Sequence, residues 1–209
     1  MSFTDVTPFE PLILKSHFKW DSNIIKVCEE LIESAKHPAH LEKNDGKSSV
    51  SNNVQPHILK EFQPFYDFIM PKVNDILYNV WDVPLNWKNV VGNSWVNVHG
   101  KGSFTDEHQH GTATMVITAY INLPKDSGYI QFKDPLEYSK GIRPKNPSID
   151  TFYKTVEAQT GDILMFPGFI RHKTEESKTY EKRWVLTTNI ISYKIQPTNR
   201  TTITRDDIK

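Results

Sequence analysis

From residue 89 onward the chain is a succession of short runs rich in β-branched and aromatic residues, at 90–99, 112–123, 128–133, 153–158, 163–166 and 183–195. Gly, Pro, Asn and Asp stand between them. Each run has the length of a strand, and such side chains fit a pleated, half-buried surface. Many short strands spaced this way predict a mainly β fold, a sandwich or jelly-roll barrel of cupin-like type. The expected organisation is one domain: an N-terminal strand and helices over 1–88, the β core over 89–195, and a polar tail over 196–209.

The N-terminal part carries a different rhythm. Residues 8–19 alternate loosely and predict an edge strand. Asp21 and Ser22 then offer an N-cap to a helix with Ile24, Ile25, Cys28, Leu31, Ile32 and Ala35 on one face. Cys28 on that face reads as a small core residue rather than a nucleophile. Residues 36–55 are polar and hold Asn44-Asp45-Gly46, which is turn chemistry. Pro56 opens a second helical stretch from Ile58 to about Val80. Its buried stripe is Phe62, Phe65, Phe68, Ile69, Val73, Ile76 and Leu77, and Pro64 and Pro71 are expected to break or kink it. A long polar insertion at 134–152, with Pro135, Pro144 and Pro147, reads either as a lid or as a plain surface excursion.

Composition argues for few particular partners and excludes none outright. Lys plus Arg equals Asp plus Glu, 25 against 25, so no global field draws the chain to nucleic acid or an anionic membrane. A single cysteine excludes an intramolecular disulfide and suits a reducing compartment. The first residues lack the basic and apolar regions of a secretory signal, and no apolar stretch approaches a membrane span. The expectation is a cytoplasmic protein. Its oligomeric state is open, a homodimer included, with Trp81 and Trp87 as core or interface residues.

The chemistry concentrates in Glu107-His108-Gln109-His110-Gly111. On an extended segment, residues two apart point to one side, so His108 and His110 can converge on one ion. His172 follows the short strand 163–167 and is the third candidate. Three histidines on one face suit Fe(II), Zn(II), Ni(II) or Cu(II), and spacing alone does not choose among them. His17, His37, His40 and His57 read as surface or hydrogen-bonding residues. His99, at a strand end, reads as a turn residue that could also face the site.

Beyond this, an ordered set of motifs is similar to a known family. Ser94-Trp95-Val96-Asn97-Val98, Gly102, His108-Gln109-His110 and 117–122 come first, followed by 161–167, His172 and 183–189. Together they resemble the 2-oxoglutarate–Fe(II) oxygenase family of microbes and their phages, over residues 50 to about 193. Tyr120-Ile121-Asn122 resembles prolyl hydroxylases more distantly. The resemblance implies a double-stranded β-helix, Fe(II), 2-oxoglutarate and O2, and hydroxylation of a small-molecule or peptidyl substrate with succinate and CO2 as co-products. It assigns the metal to His108, His110 and His172. Arg183, eleven residues beyond His172, would anchor the far carboxylate of 2-oxoglutarate, as a guanidinium fork pairs a carboxylate bidentately. Tyr120 would assist it, and Asn97 would bond the metal-side carboxylate. Lys182 and Arg171 are the other basic candidates. One departure stands out: the common facial triad places a carboxylate where this chain has His110. Asp106 or Glu107 are the alternative sources of that carboxylate. A jelly-roll isomerase or hydrolase using the same histidines, and a binding module without chemistry, are the competing classes.

Overall fold

A computed structural model describes residues 13–33, 35, 41–42, 46–135 and 153–195. The insertion at 134–152 read as a possible lid, except its first two residues, the tail from 196, and most of 36–45 lie outside the described residues. The strands are β1 (Leu14–His17), β2 (Leu41–Glu42), β3 (Lys47–Ser48), β4 (Trp87–His99), β5 (Phe104–Thr105) and β6 (Met115–Asn122). They continue with β7 (Ile130–Lys133), β8 (Tyr153–Val156), β9 (Asp162–Pro167), β10 (His172–Thr174) and β11 (Arg183–Lys194). A large sheet runs β1-β9-β6-β11-β4-β3, a small one runs β10-β7-β8, and β2 pairs with β5. This is the double-stranded β-helix expected from the resemblance, with helices on the outside of the large sheet.

Period-two alternation explains why strands as apolar as β6 and β9 are buried end to end. Met115, Ile117, Ala119 and Ile121 of β6 join Ile163 and Met165 of β9 and Trp184, Leu186 and Ile190 of β11 in a core beneath the helices. The intervening Val116, Tyr120, Leu164, Phe166 and Val185 face the other way. They pack against Ile130 and Phe132 of the small sheet. A sheet buried on both faces has no solvent side, and its strands lose the polar half of the alternation.

The first helix, α1 (Ile24–Glu33), buries Ile24, Cys28, Leu31 and Ile32 as its apolar stripe predicts. The Cys28 thiol is fully buried, and burial pushes its pKa up to about 12, which keeps it protonated and inert. The second helical stretch departs from expectation. Two 3₁₀ turns, Pro56–Ile58 and Lys60–Phe62, lead into α2 (Gln63–Asp75), which passes through Pro71 unbroken. Pro64 falls in the first turn, where a missing N–H costs nothing. Pro71 lies on the exposed face, so the carbonyl it leaves unbonded is open to water. The stripe of Phe65, Ile69 and Val73 holds the helix to the sheet on the other side. The stretch ends in a π-turn, Ile76–Val80, in which the Trp81 N–H reaches back to the Ile76 carbonyl at 2.9 Å.

Edge strand β1 is fixed to β9 by a buried carboxylate. Asp162 is 2% exposed and accepts from Lys15 Nζ at 2.6 Å, His17 Nδ1 at 3.2 Å and the Gln159 N–H at 2.9 Å. Burial alone would raise its pKa, but Lys15, the Gln159 amide and His17 together bring it below the ordinary aspartate value. A carboxyl depressed on folding contributes stability above its unfolded pKa of about 3.9 and loses it as pH falls through the lower folded value. Asp162→Asn is therefore expected to cost about 1–2 kcal/mol at pH 7, a figure limited by the half-exposed Lys15 and His17. The deficit should close in denaturant titrations as pH falls through that lowered folded value.

Candidate metal centre

The two histidine-bearing segments are joined by their own backbones. The His108 N–H donates to the His172 carbonyl at 3.0 Å, and the His172 N–H returns a bond to the His108 carbonyl at 2.9 Å. The His110 N–H donates to the Gly168 carbonyl at 2.9 Å. Gly168 also lets the turn after His110 pack against this segment: a Cβ there would lie 2.0 Å from the Ala113 carbonyl oxygen. One nitrogen from each of His108, His110 and His172 lies within 4.8 Å of the other two. The ring centroids are separated by 5.1, 4.4 and 5.1 Å.

Hydrogen bonds on the far side of each ring decide what the rings offer. His108 Nδ1 faces the Asp106 carbonyl at 2.8 Å, and His172 Nδ1 faces the Ile170 carbonyl at 2.9 Å. A carbonyl only accepts, so both Nδ1 atoms carry a proton, and in the neutral ring each Nε2 carries a lone pair. His110 Nδ1 is held in the same sense by Asn189 Oδ1 at 2.7 Å. Burial lowers the pKa of His108 and takes that of His172 well below the ordinary value, with His108 adding to the effect on His172. Neutral, pre-oriented imidazoles are the form that ligates a divalent metal. The residues present fit an ion of the Fe(II) or Zn(II) kind.

Asn189 was not singled out by the sequence. It sits on β11, and only β-sheet register brings it to a histidine 79 positions away. Asn189→Ala would leave the His110 ring unoriented, and loss of such an outer partner costs about 10–100-fold in metal affinity. Competition titration against a chelating dye should read that loss, with the unfolding midpoint nearly unchanged.

The alternative carboxylates do not join the histidines. Glu107 hydrogen-bonds Arg171 and the Tyr153 hydroxyl and pairs with Lys133 at 3.7 Å. The Tyr153 bond leads in holding its carboxyl below the usual range. Asp106 is exposed and meets His108 through its backbone carbonyl. Among the described residues, the cluster has three histidines and no carboxylate.

A narrow cavity runs from this cluster into the barrel, lined by Trp95, Asn97 and His99 of β4, by Thr118 and Tyr120 of β6, and by Arg183 and Thr187 of β11. His99 thus faces the cavity, 2% exposed and bonded to Thr105 at 2.8 Å, rather than serving a turn. Arg183 is 1% exposed. Its Nη1 donates to the Ser127 and Gly128 carbonyls at 2.5 and 2.7 Å, and its Nη2 donates to Thr174 Oγ1 at 3.0 Å. Its Nε–H has no acceptor, and no carboxylate among the described residues forms an ion pair with it. Glu175, whose charge favours it, spends its own carboxylate on the Tyr129 N–H and Gln131. Burial brings the guanidinium pKa down to about 10, so the group still carries its charge at neutral pH. Of the other basic candidates, Arg171 is turned to Glu107, and Lys182 lines a separate surface groove beside α1.

The fold and the histidine cluster define a metal-dependent double-stranded β-helix protein. Residues 93–189 match the family described as "Putative 2OG-Fe(II) oxygenase", an enzyme family whose cofactor and co-substrate are Fe(II) and 2-oxoglutarate. No curated protein gives a significant sequence match. Among solved structures, the chain is similar to an oxidoreductase of the 2OG-Fe(II) oxygenase family from Burkholderia pseudomallei, with TM-score 0.57, 10% identity, and coverage of 86% of this chain and 84% of that one. A prolyl-4-hydroxylase from Pseudomonas putida gives TM-score 0.57, 11% identity, and 86% and 91% coverage. HygX from Streptomyces hygroscopicus, solved with nickel, 2-oxoglutarate and hygromycin B, gives 0.57, 12%, and 91% and 85%. At such identities these likenesses establish the fold alone.

Proposed function

We propose that the protein is a 2-oxoglutarate-dependent dioxygenase, a hydroxylase, with its metal on His108, His110 and His172 and its co-substrate anchor on Arg183. The observation that carries this reading is the buried guanidinium without a carboxylate, in the same cavity as three convergent imidazoles. A buried charge is costly unless paired. The far carboxylate of 2-oxoglutarate is a partner of the right charge, and Tyr120 lines the same cavity to assist it. Asn97 would bond the metal-side carboxylate. Bound Fe(II) supplies the activation of O2 that couples conversion of 2-oxoglutarate to succinate and CO2 with hydroxylation of a C–H bond.

The chain's own contribution is to bind, orient and exclude. Backbone carbonyls and Asn189 keep the three imidazoles in one tautomer. Phe132 and Phe166 pack on His172, with centroids at 6.0 and 4.9 Å, and keep bulk water from the rear of the site. Three neutral ligands leave the metal one negative charge short of the common triad, which favours a dianionic co-substrate. The substrate belongs to the small-molecule or peptidyl classes, in keeping with the family. We read residues 1–209 as one domain in the cytoplasm; among the described residues no helix is long and apolar enough to cross a membrane.

Adding Fe(II) and 2-oxoglutarate without oxygen should produce the weak visible charge-transfer band of a chelated 2-oxo acid. Iron-loaded protein that shows no such band and binds no 2-oxoglutarate by calorimetry would instead be a jelly-roll isomerase or hydrolase.

A further inference from the structure

Besides the Arg183 Nε–H, a second buried donor on a residue lining the cavity is left without an acceptor by the fold. Trp95 is 7% exposed, and its indole Nε1 has no hydrogen-bond partner among the described residues. An unmade buried N–H carries its whole desolvation cost, which an acceptor on a ligand would remove.

Sheet register places this donor along the cavity. Trp95, Asn97 and His99 succeed one another on the cavity face of β4, opposite Thr187, Val185 and Arg183 of β11. Arg183 therefore marks one end and Trp95 the other. The Trp95 end is the histidine end, because the indole stacks on His110 with centroids 5.7 Å apart and planes at 15°. Stacking fixes the ring, so the donor direction is set before any ligand arrives. Between the two ends lies Asn97, whose Oδ1 is also buried without a partner. Turning that amide over presents its NH2 to the same space. The space is slim, about 50 Å³, and suits a chain-like dicarboxylate rather than the body of a substrate.

We propose that Trp95 is a co-substrate-binding residue whose indole N–H donates to the metal-end carboxylate of 2-oxoglutarate, beside Asn97. This rests on the 2-oxoglutarate reading above. An indole N–H only donates and a carboxylate only accepts, so the match is of one sense and charge-assisted. With Arg183 on the far carboxylate, the two ends of the molecule are recognised by groups on adjacent strands β11 and β4.

The test uses full-length protein loaded with Zn(II), which is diamagnetic and does not turn over. Of the five tryptophan indole signals, that of Trp95 is assigned by contacts to the His110 ring and by its loss in Trp95→Phe. Adding 2-oxoglutarate should move this signal downfield, and Trp95→Phe should weaken 2-oxoglutarate binding about tenfold by calorimetry. Zn(II) affinity and the unfolding midpoint should stay as in the wild type. A wild type that binds 2-oxoglutarate with the Trp95 signal unmoved, or a variant that binds it within about twofold of the wild type, overturns the proposal while leaving the function reading in place. A wild type that binds no 2-oxoglutarate overturns both. If Trp95→Phe folds poorly, the wild-type signal decides alone.

Discussion

Replacing His172 with alanine is expected to abolish stoichiometric metal binding and, with it, all 2-oxoglutarate turnover. The loss should exceed the roughly 10–100-fold that follows removal of an outer partner, because a ligand itself disappears. The fold should survive. The pairing of His172 with His108 is made by backbone groups, which alanine keeps. The vacated space lies beside Phe132 and Phe166, two rings held in edge contact with each other at 4.8 Å. Metal analysis after reconstitution and dialysis, beside an unfolding curve, separates the two effects. His110→Asp makes the informative contrast: it restores the two-histidine, one-carboxylate set and adds a negative charge, so it should hold Fe(II) at least as well as the wild type. A His172→Ala protein that still retains one equivalent of metal would remove this centre from the assignment.

Arg183→Met is expected to raise the 2-oxoglutarate Kd about a hundredfold or more, the scale on which truncating one partner of a buried charge pair acts. Stability of the ligand-free protein should change little. Methionine forfeits the bonds to Ser127, Gly128 and Thr174, but it also relieves a buried charge that lacks a carboxylate. Gly128, which accepts from this guanidinium, has a φ of +82°, and a Cβ there would sit 2.5 Å from the Glu175 carbonyl oxygen and 3.0 Å from Arg183 Nη1. The two properties part in one experiment. At a 2-oxoglutarate concentration of about 100 times the wild-type Kd, the wild type gains roughly 2.7 kcal/mol of stability and the variant far less. Equal stabilisation of both proteins by 2-oxoglutarate would show that the anchor lies elsewhere.

Much of this could be read from local patterns, because strands and helices bury side chains at fixed periods. The runs at 90–99, 112–123 and 183–195 correspond to β4, β6 and β11 to within three residues at each end. The stripe from Ile24 to Ile32 is the buried face of α1. His108 and His110 were legible as a pair because extended residues two apart share a face. Pro71 misled, since propensity carries no knowledge of which face of a helix is wet.

The strand-rich core, the helices over it and the residue types that could meet at a metal are legible along the chain. Those follow from periodicity and side-chain chemistry, which act over a few residues. The partners of these residues are set by the fold. It turned Glu107 away to Arg171, brought Asn189 to His110, and buried Arg183 and the Trp95 indole N–H in one cavity. These contacts join residues far apart in the chain, and β-sheet register, which no short window of sequence encodes, sets them.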